Sequence, residues 1–98
     1  MLRITTSDEG PTTILRLEGK LLGDWVTEFE RHWLTIKNVD PQKKFRIDLS
    51  DVEFVDEKGE ALLERLFQEG AELYADNAFL KSVIAGIVQR SNAEHANR

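Results

Sequence analysis

Residues Phe45 to Leu63 read FRIDLSDVEFVDEKGEALL, and the reading of this stretch decides the fold. Phe45-Arg46-Ile47-Asp48-Leu49 alternates apolar and polar residues, the period of a strand with one covered face. From Ala61 the period changes. Ala61, Leu62, Leu63, Leu66 and Phe67 make one side of a helix, while Glu60, Glu64, Gln68 and Glu69 make the other. Between strand and helix lie a short apolar hook ending at Phe54 and a tight acidic turn, Asp56-Glu57-Lys58-Gly59. A strand-to-helix junction is where a working residue is often placed, so the turn could be a catalytic loop, a modification site or a helix cap.

Upstream, Leu2 to Thr6 alternates and Thr12 to Glu18 (TTILRLE) is rich in β-branched residues. The turn cluster Ser7-Asp8-Glu9-Gly10-Pro11 joins them into an expected hairpin, with Gly19-Lys20 as its end. Leu22, Trp25, Val26, Phe29, Trp33 and Ile36 then fall at helical spacing, with Asp24 as candidate cap and Pro41 as the stop. Downstream, Gly70 suits the left-handed residue that ends a helix. Ala71 to Ala75 reads as a short strand. Asp76 or Asn77 can cap a last helix striped by Phe79, Leu80, Val83, Ile84, Ile87 and Val88. Gly86 is a weak point in that helix, and residues 91–98 (SNAEHANR) lack apolar periodicity and read as a frayed tail.

The order β-β-α-β-α-β-α implies right-handed crossovers between parallel neighbours and an antiparallel first strand at one edge. The expected fold is a two-layer α/β domain over residues 1–90, a mixed four-stranded sheet with helices mainly on one face. The 98 residues fit one domain with a modest core, and 41% hydrophobic and 32% charged residues are ordinary for a globular protein. There is no cysteine, which excludes disulfides, thiolate zinc sites and cysteine nucleophiles. No run of about 18 apolar residues exists to span a membrane, and the first residues lack a secretory pattern, so direct membrane insertion is not expected and a cytoplasmic address is. With 13 basic residues scattered among 18 acidic ones and a formal charge of -5, a nucleic acid partner is not expected.

The segment IDLSDVEFVDEKGEALLERL (Ile47 to Leu66) resembles the STAS family, the sulfate transporter and anti-sigma factor antagonist domains. In that family a strand ending in Asp-Leu-Ser leads through an apolar hook to Asp-Ser-Ser/Thr-Gly and a leucine-rich helix. Asp48-Leu49-Ser50, Phe54, Asp56 and Gly59 match; the Leu17-Glu18-Gly19 stretch and the helix from Leu80 to Ile87 are similar less specifically. The resemblance covers roughly Leu2 to Val88. It implies a non-catalytic, bacterial-type interaction module of partner switching, in signal transduction and transcription regulation. The face of Ser50, Phe54, Asp56, Glu57, Lys58, Gly59 and Leu62 would dock an anti-sigma factor or serine kinase-like protein. Two further STAS roles are an accessory subunit beside the ATPase of a lipid-transport ABC system and a small-ligand or nucleotide sensor.

The departure lies inside the tetrad. In the family the residue before the glycine accepts phosphate; here it is Lys58, with Glu57 before it. A lysine offers a Ser/Thr kinase no hydroxyl. Asp56 can cap the helix, and Glu57 suits the positive end of its dipole. Gly59 admits either a close-approaching partner or tight internal packing.

Six carboxylates between Asp48 and Glu60 could recruit a hard cation, but no calcium-loop spacing is present and a solvated acidic surface is the expectation. His32 and His95 have no serine nucleophile in a recognisable motif, and no glycine-rich phosphate loop occurs, so neither enzyme chemistry nor a cofactor is expected. Trp25 and Trp33 read as core, with one edge free to reach the surface. Ser50 is the nearest hydroxyl to the turn: an alternative phosphosite, or a residue engaged in turn bonding.

Overall fold

A computed structural model describes residues 1–96, and their side chains as far as Ala93. The chain order is β1 (Leu2–Glu9), β2 (Thr12–Leu21), α1 (Asp24–Val39), β3 (Lys44–Val55), α2 (Glu57–Gln68), β4 (Glu72–Tyr74) and α3 (Ala78–Ala96). The sheet has the order β1-β2-β3-β4; β1 runs antiparallel to β2, and the other two pairings are parallel. The expected α/β architecture with a four-stranded mixed sheet is therefore the observed one. Because the strand order advances in one direction, right-handed crossovers through α1 and α2 fall on the same face. α2 lies between α1 and α3, and the core sits between these helices and the sheet.

Strand alternation divides the sheet into a covered and an open face. Leu15, Leu17, Ile47 and Leu49 point to the helices and are fully buried, against Phe29, Leu63, Leu66, Leu80 and Ile87. Burial of each such side chain contributes roughly 1.5–3 kcal/mol. Trp33 is 1% exposed and meets Phe45 edge-on, with ring centroids 4.9 Å apart. Trp25 is 38% exposed. On the open face Arg16 pairs with Asp51, Arg46 with Glu72 at 3.0 Å, and Arg46 also lies over the Tyr74 ring.

Several boundaries differ from those expected. β2 does not end at Gly19-Lys20 but continues to Leu21. Gly19 has φ 108° at a register shift, and a Cβ there would lie 2.3 Å from the Met1 carbonyl oxygen. It marks an irregularity within the strand rather than the strand's end. The apolar hook is also strand: β3 runs to Val55 with two register shifts against β2. The shifts reset the alternation, so Leu49 and Val52 are both buried and Phe54 is turned out.

α1 is preceded by Gly23 at the cap position, so Asp24 is its first helical residue and not its cap. Asn77, rather than Asp76, caps α3, its Oδ1 accepting from Leu80 N–H at 2.8 Å. Gly70 does end α2: with φ 106° it donates to Phe67 O, and Ala71 donates to Leu66 O. Only Glu72–Tyr74 of the Ala71 to Ala75 segment pairs as strand.

The expected tail is instead helical through Ala96. Ser91 is 2% exposed and continues the buried stripe of Leu80 and Ile87. Arg90 donates to Glu60 and Glu64 of α2 at 2.8 Å each, tying α3 to α2 just before Ser91. The His95 side chain and residues 97–98 lie outside the described residues.

Candidate functional site

Parallel strands put their C-terminal ends, and the helix starts that follow them, at one end of a sheet, where α/β domains place binding sites. Here that end gathers the β2–α1 connection, the β3–α2 turn and the β4–α3 connection. Asp56 organises it. Its Oδ1 accepts from Gly59 N–H at 2.7 Å, capping α2, and its Oδ2 accepts from Gly23 N–H at 2.9 Å, 33 residues away in sequence. Its own N–H donates to Leu21 O at 3.1 Å, and its carbonyl accepts from Glu60 N–H at 2.9 Å. The side chain therefore joins the starts of α1 and α2.

The two backbone donors, Gly23 first and Gly59 second, hold the Asp56 carboxyl below the usual carboxylate range, and the Lys58 charge adds to the effect. Both oxygens are engaged in these bonds, so Asp56 is a structural anion rather than a base.

Gly59 serves internal packing. It is buried, and a Cβ would lie 2.7 Å from Leu21 O, 3.0 Å from Val55 Cγ1 and 3.1 Å from Leu21 Cγ. The first turn of α2 thus rests directly on the end of β2, which leaves no room for a partner's backbone. Leu62 is likewise 6% exposed and belongs to the core. These two expected docking residues shape the surface from beneath.

Ser50 belongs to a separate staple. Its Oγ accepts from Asp76 N–H at 3.2 Å, and its carbonyl accepts from Asn77 Nδ2 at 3.0 Å. Its own N–H donates to Asp48 Oδ1 at 3.0 Å. The hydroxyl thus fastens the β4–α3 connection to β3, the turn-bonding role.

Three of the expected residues form the outward surface of the turn. Phe54 is 47% exposed, and Glu57 and Lys58 are exposed on the first turn of α2. Two exposed aromatics not assigned to the site from sequence lie in helix first turns at the same end of the sheet. Trp25 lies in the first turn of α1, and Phe79, 52% exposed, in the first turn of α3. Both fit a helical apolar stripe, so periodicity alone reads them as core. Their position just after a cap is the signal that separates them, because the first turn overhangs the sheet end.

The six carboxylates do not converge. Asp48 holds Ser50 N–H, Asp51 pairs with Arg16, Asp56 holds two backbone amides and Glu60 pairs with Arg90. Among the described residues no group of three His, Asp or Glu side chains is arranged to hold a metal ion, and no helix is long and apolar enough to cross a membrane. His32 Nε2 lies 3.1 Å from Thr6 Oγ1, on the flank of the domain and away from the turn.

No family model and no curated protein matches this chain. Among solved structures it is similar to one described as "Crystal Structure Analysis of Mglu", with a TM-score of 0.58 and 17% identity. The match covers 74% of this chain and 19% of that one, so the chain spans about a fifth of the other's length. At this identity the likeness concerns the fold alone.

Proposed function

We propose that this chain is a cytoplasmic STAS-type interaction module without catalytic activity, docking a protein partner through the β3–α2 turn. One observation carries the reading: a turn made rigid by the two bonds of Asp56 displays Phe54, Glu57 and Lys58, none of which serves the core. Nearly half of a phenylalanine left in water forgoes burial that the core rewards. A lysine in a first helical turn also works against the helix dipole. Residues that cost stability where they stand are better explained by a partner than by the fold.

The resemblance of the Ile47 to Leu66 segment to anti-sigma factor antagonists supports a kinase-like partner of a partner-switching system. Lys58 occupies the place of the phosphoacceptor, so this module binds in a state fixed by its sequence rather than by phosphate. Affinity capture from the source cell tests it, comparing the native chain with a Phe54→Ala/Glu57→Lys/Lys58→Glu variant of unchanged fold. A soluble ATP-binding kinase recovered by the native chain and lost by the variant is expected; identical captures by both would refute the reading. Intact mass after incubation with that kinase and ATP should be unchanged for the native chain and rise by one phosphate for Lys58→Ser.

A further inference from the structure

We propose that the free edge of β1 pairs with β1 of a second copy, joining two sheets into one across a twofold axis at Thr6. β1 lies at the end of the sheet, paired with β2 on one side only. Its eight residues, Leu2–Glu9, pair without a register shift. Such a long regular edge is a template for strand addition, and natural proteins normally blunt it. β1 has no proline, no lysine and no bulge.

The orientation of its free groups follows from one bond. Lys20 N–H donates to Met1 O, and the register places Met1 opposite Lys20. In an antiparallel pair the peptide groups of alternate residues face the same neighbour. Odd-numbered residues of β1 therefore turn their N–H and C=O to β2, and Leu2, Ile4, Thr6 and Asp8 turn theirs to the open edge. The same even residues carry their side chains on the helix side: Leu2 is buried, Thr6 meets His32 and Asp8 pairs with Lys43. Arg3, Thr5, Ser7 and Glu9 stand exposed on the other face.

A second copy must match face to face, since a slip of one residue would exchange the faces. Even residues then oppose even ones, and few twofold registers remain. Centring on Thr6 places Thr6 opposite Thr6, Ile4 opposite Asp8, Thr5 opposite Ser7 and Arg3 opposite Glu9 of the second copy. The outward peptide groups of Ile4, Thr6 and Asp8 are all paired, and the Arg3–Glu9 contact occurs twice. Neither Arg3 nor Glu9 makes an ion pair among the described residues; Arg3 stands across the ladder from Glu18, but that carboxylate lies against Arg16, so Arg3 and Glu9 are both open to the other copy. Opposite charges directly across a ladder stabilise it, and like charges oppose it.

A groove of about 420 Å³ beside this edge on the helix side is lined by Thr6, Ile36, Val39 and Phe45, with Val39 82% exposed at its rim. A second copy seated on the edge would cover it. β2 separates β1 from β3, so the Asp56 turn stays open to a different partner.

Charge reversal tests the register. Sedimentation of the native chain from micromolar to millimolar concentration should show a monomer–dimer equilibrium. Arg3→Glu and Glu9→Arg should each weaken the dimer by about tenfold or more, since two contacts turn repulsive at once. Mixing the two variants should restore dimers. The glutamate introduced at position 3 then meets the arginine introduced at position 9, and the native Arg3 and Glu9 meet at the other contact. Thr6→Cys, in a chain that has no cysteine, should form a disulfide-linked dimer under mild oxidation, the Cα separation across such a pair being about 5.5 Å. Circular dichroism confirms that each variant is folded. A chain monomeric throughout, a dimer indifferent to both reversals, or variants that fail to recover on mixing would each overturn the proposal.

Discussion

Replacing Asp56 by alanine should destabilise the domain far more than an ordinary surface substitution. The side chain accepts from Gly59 N–H at 2.7 Å and Gly23 N–H at 2.9 Å, and both donors lie in a half-buried setting. Loss of a helix cap costs about 1 kcal/mol. Leaving the second donor without a charged partner costs about 1–2 kcal/mol, since Gly23 N–H is only partly reached by water. The sum is about 2–3 kcal/mol, or a fall in Tm of roughly 10–20 °C for a domain of this size.

Asp56→Asn separates the two bonds. Asparagine keeps one acceptor for α2 but presents its NH₂ to the remaining N–H donor, so the loss should be about 1–2 kcal/mol at neutral pH. The acid range gives an independent check. The native Asp56 carboxyl titrates below its unfolded value of about 3.9 because it accepts from Gly23 and Gly59. Its stabilisation is therefore complete above that unfolded value and is lost as pH falls through the depressed native one. The gap between native chain and Asp56→Asn should narrow along that descent. Urea unfolding at a series of pH values measures both effects. An alanine variant within about 0.5 kcal/mol of the native chain, or a gap to asparagine that stays flat into acid, would refute the account of Asp56 as the joint between α1 and α2.

Two further substitutions probe the packing. Gly59→Ala should destabilise by about 1–3 kcal/mol although alanine is the better helix former, because its Cβ would meet Leu21 O at 2.7 Å; equal or greater stability in urea would show that α2 does not rest on β2 as described. Ser91→Ala should raise stability by up to about 1 kcal/mol, since the Ser91 Oγ is buried with no hydrogen-bond partner among the described residues. A lower calorimetric Tm would mean that the hydroxyl is bonded after all.

The local patterns that were reliable in the sequence are those set by neighbours a few residues apart. The switch from period 2 to period 3.6 across FRIDLSDVEFVDEKGEALL located β3, the turn and α2. Asp56 as cap and Gly70 as terminator followed from backbone groups that a helix leaves unpaired at its ends. The stripe Leu80, Val83, Ile84, Ile87 located α3, whereas the turn around Ser91 was not legible, because Arg90 beside it reaches Glu60 and Glu64 in another helix.

At the turn the division has the same cause. The period switch placed Asp56-Glu57-Lys58-Gly59 at a strand-to-helix turn, and the resemblance alone gave the lysine before the glycine its meaning. Only the folded chain decided which of them face outward. Gly59 and Leu62 turned inward because the end of β2 lies beneath α2, while Phe54 turned outward because two bulges in β3 reset its alternation. The bond from Asp56 to Gly23, which ties the turn to the start of α1, spans 33 residues. Periodicity reports what a residue's own element buries; what another element lays across it is decided only by the tertiary fold.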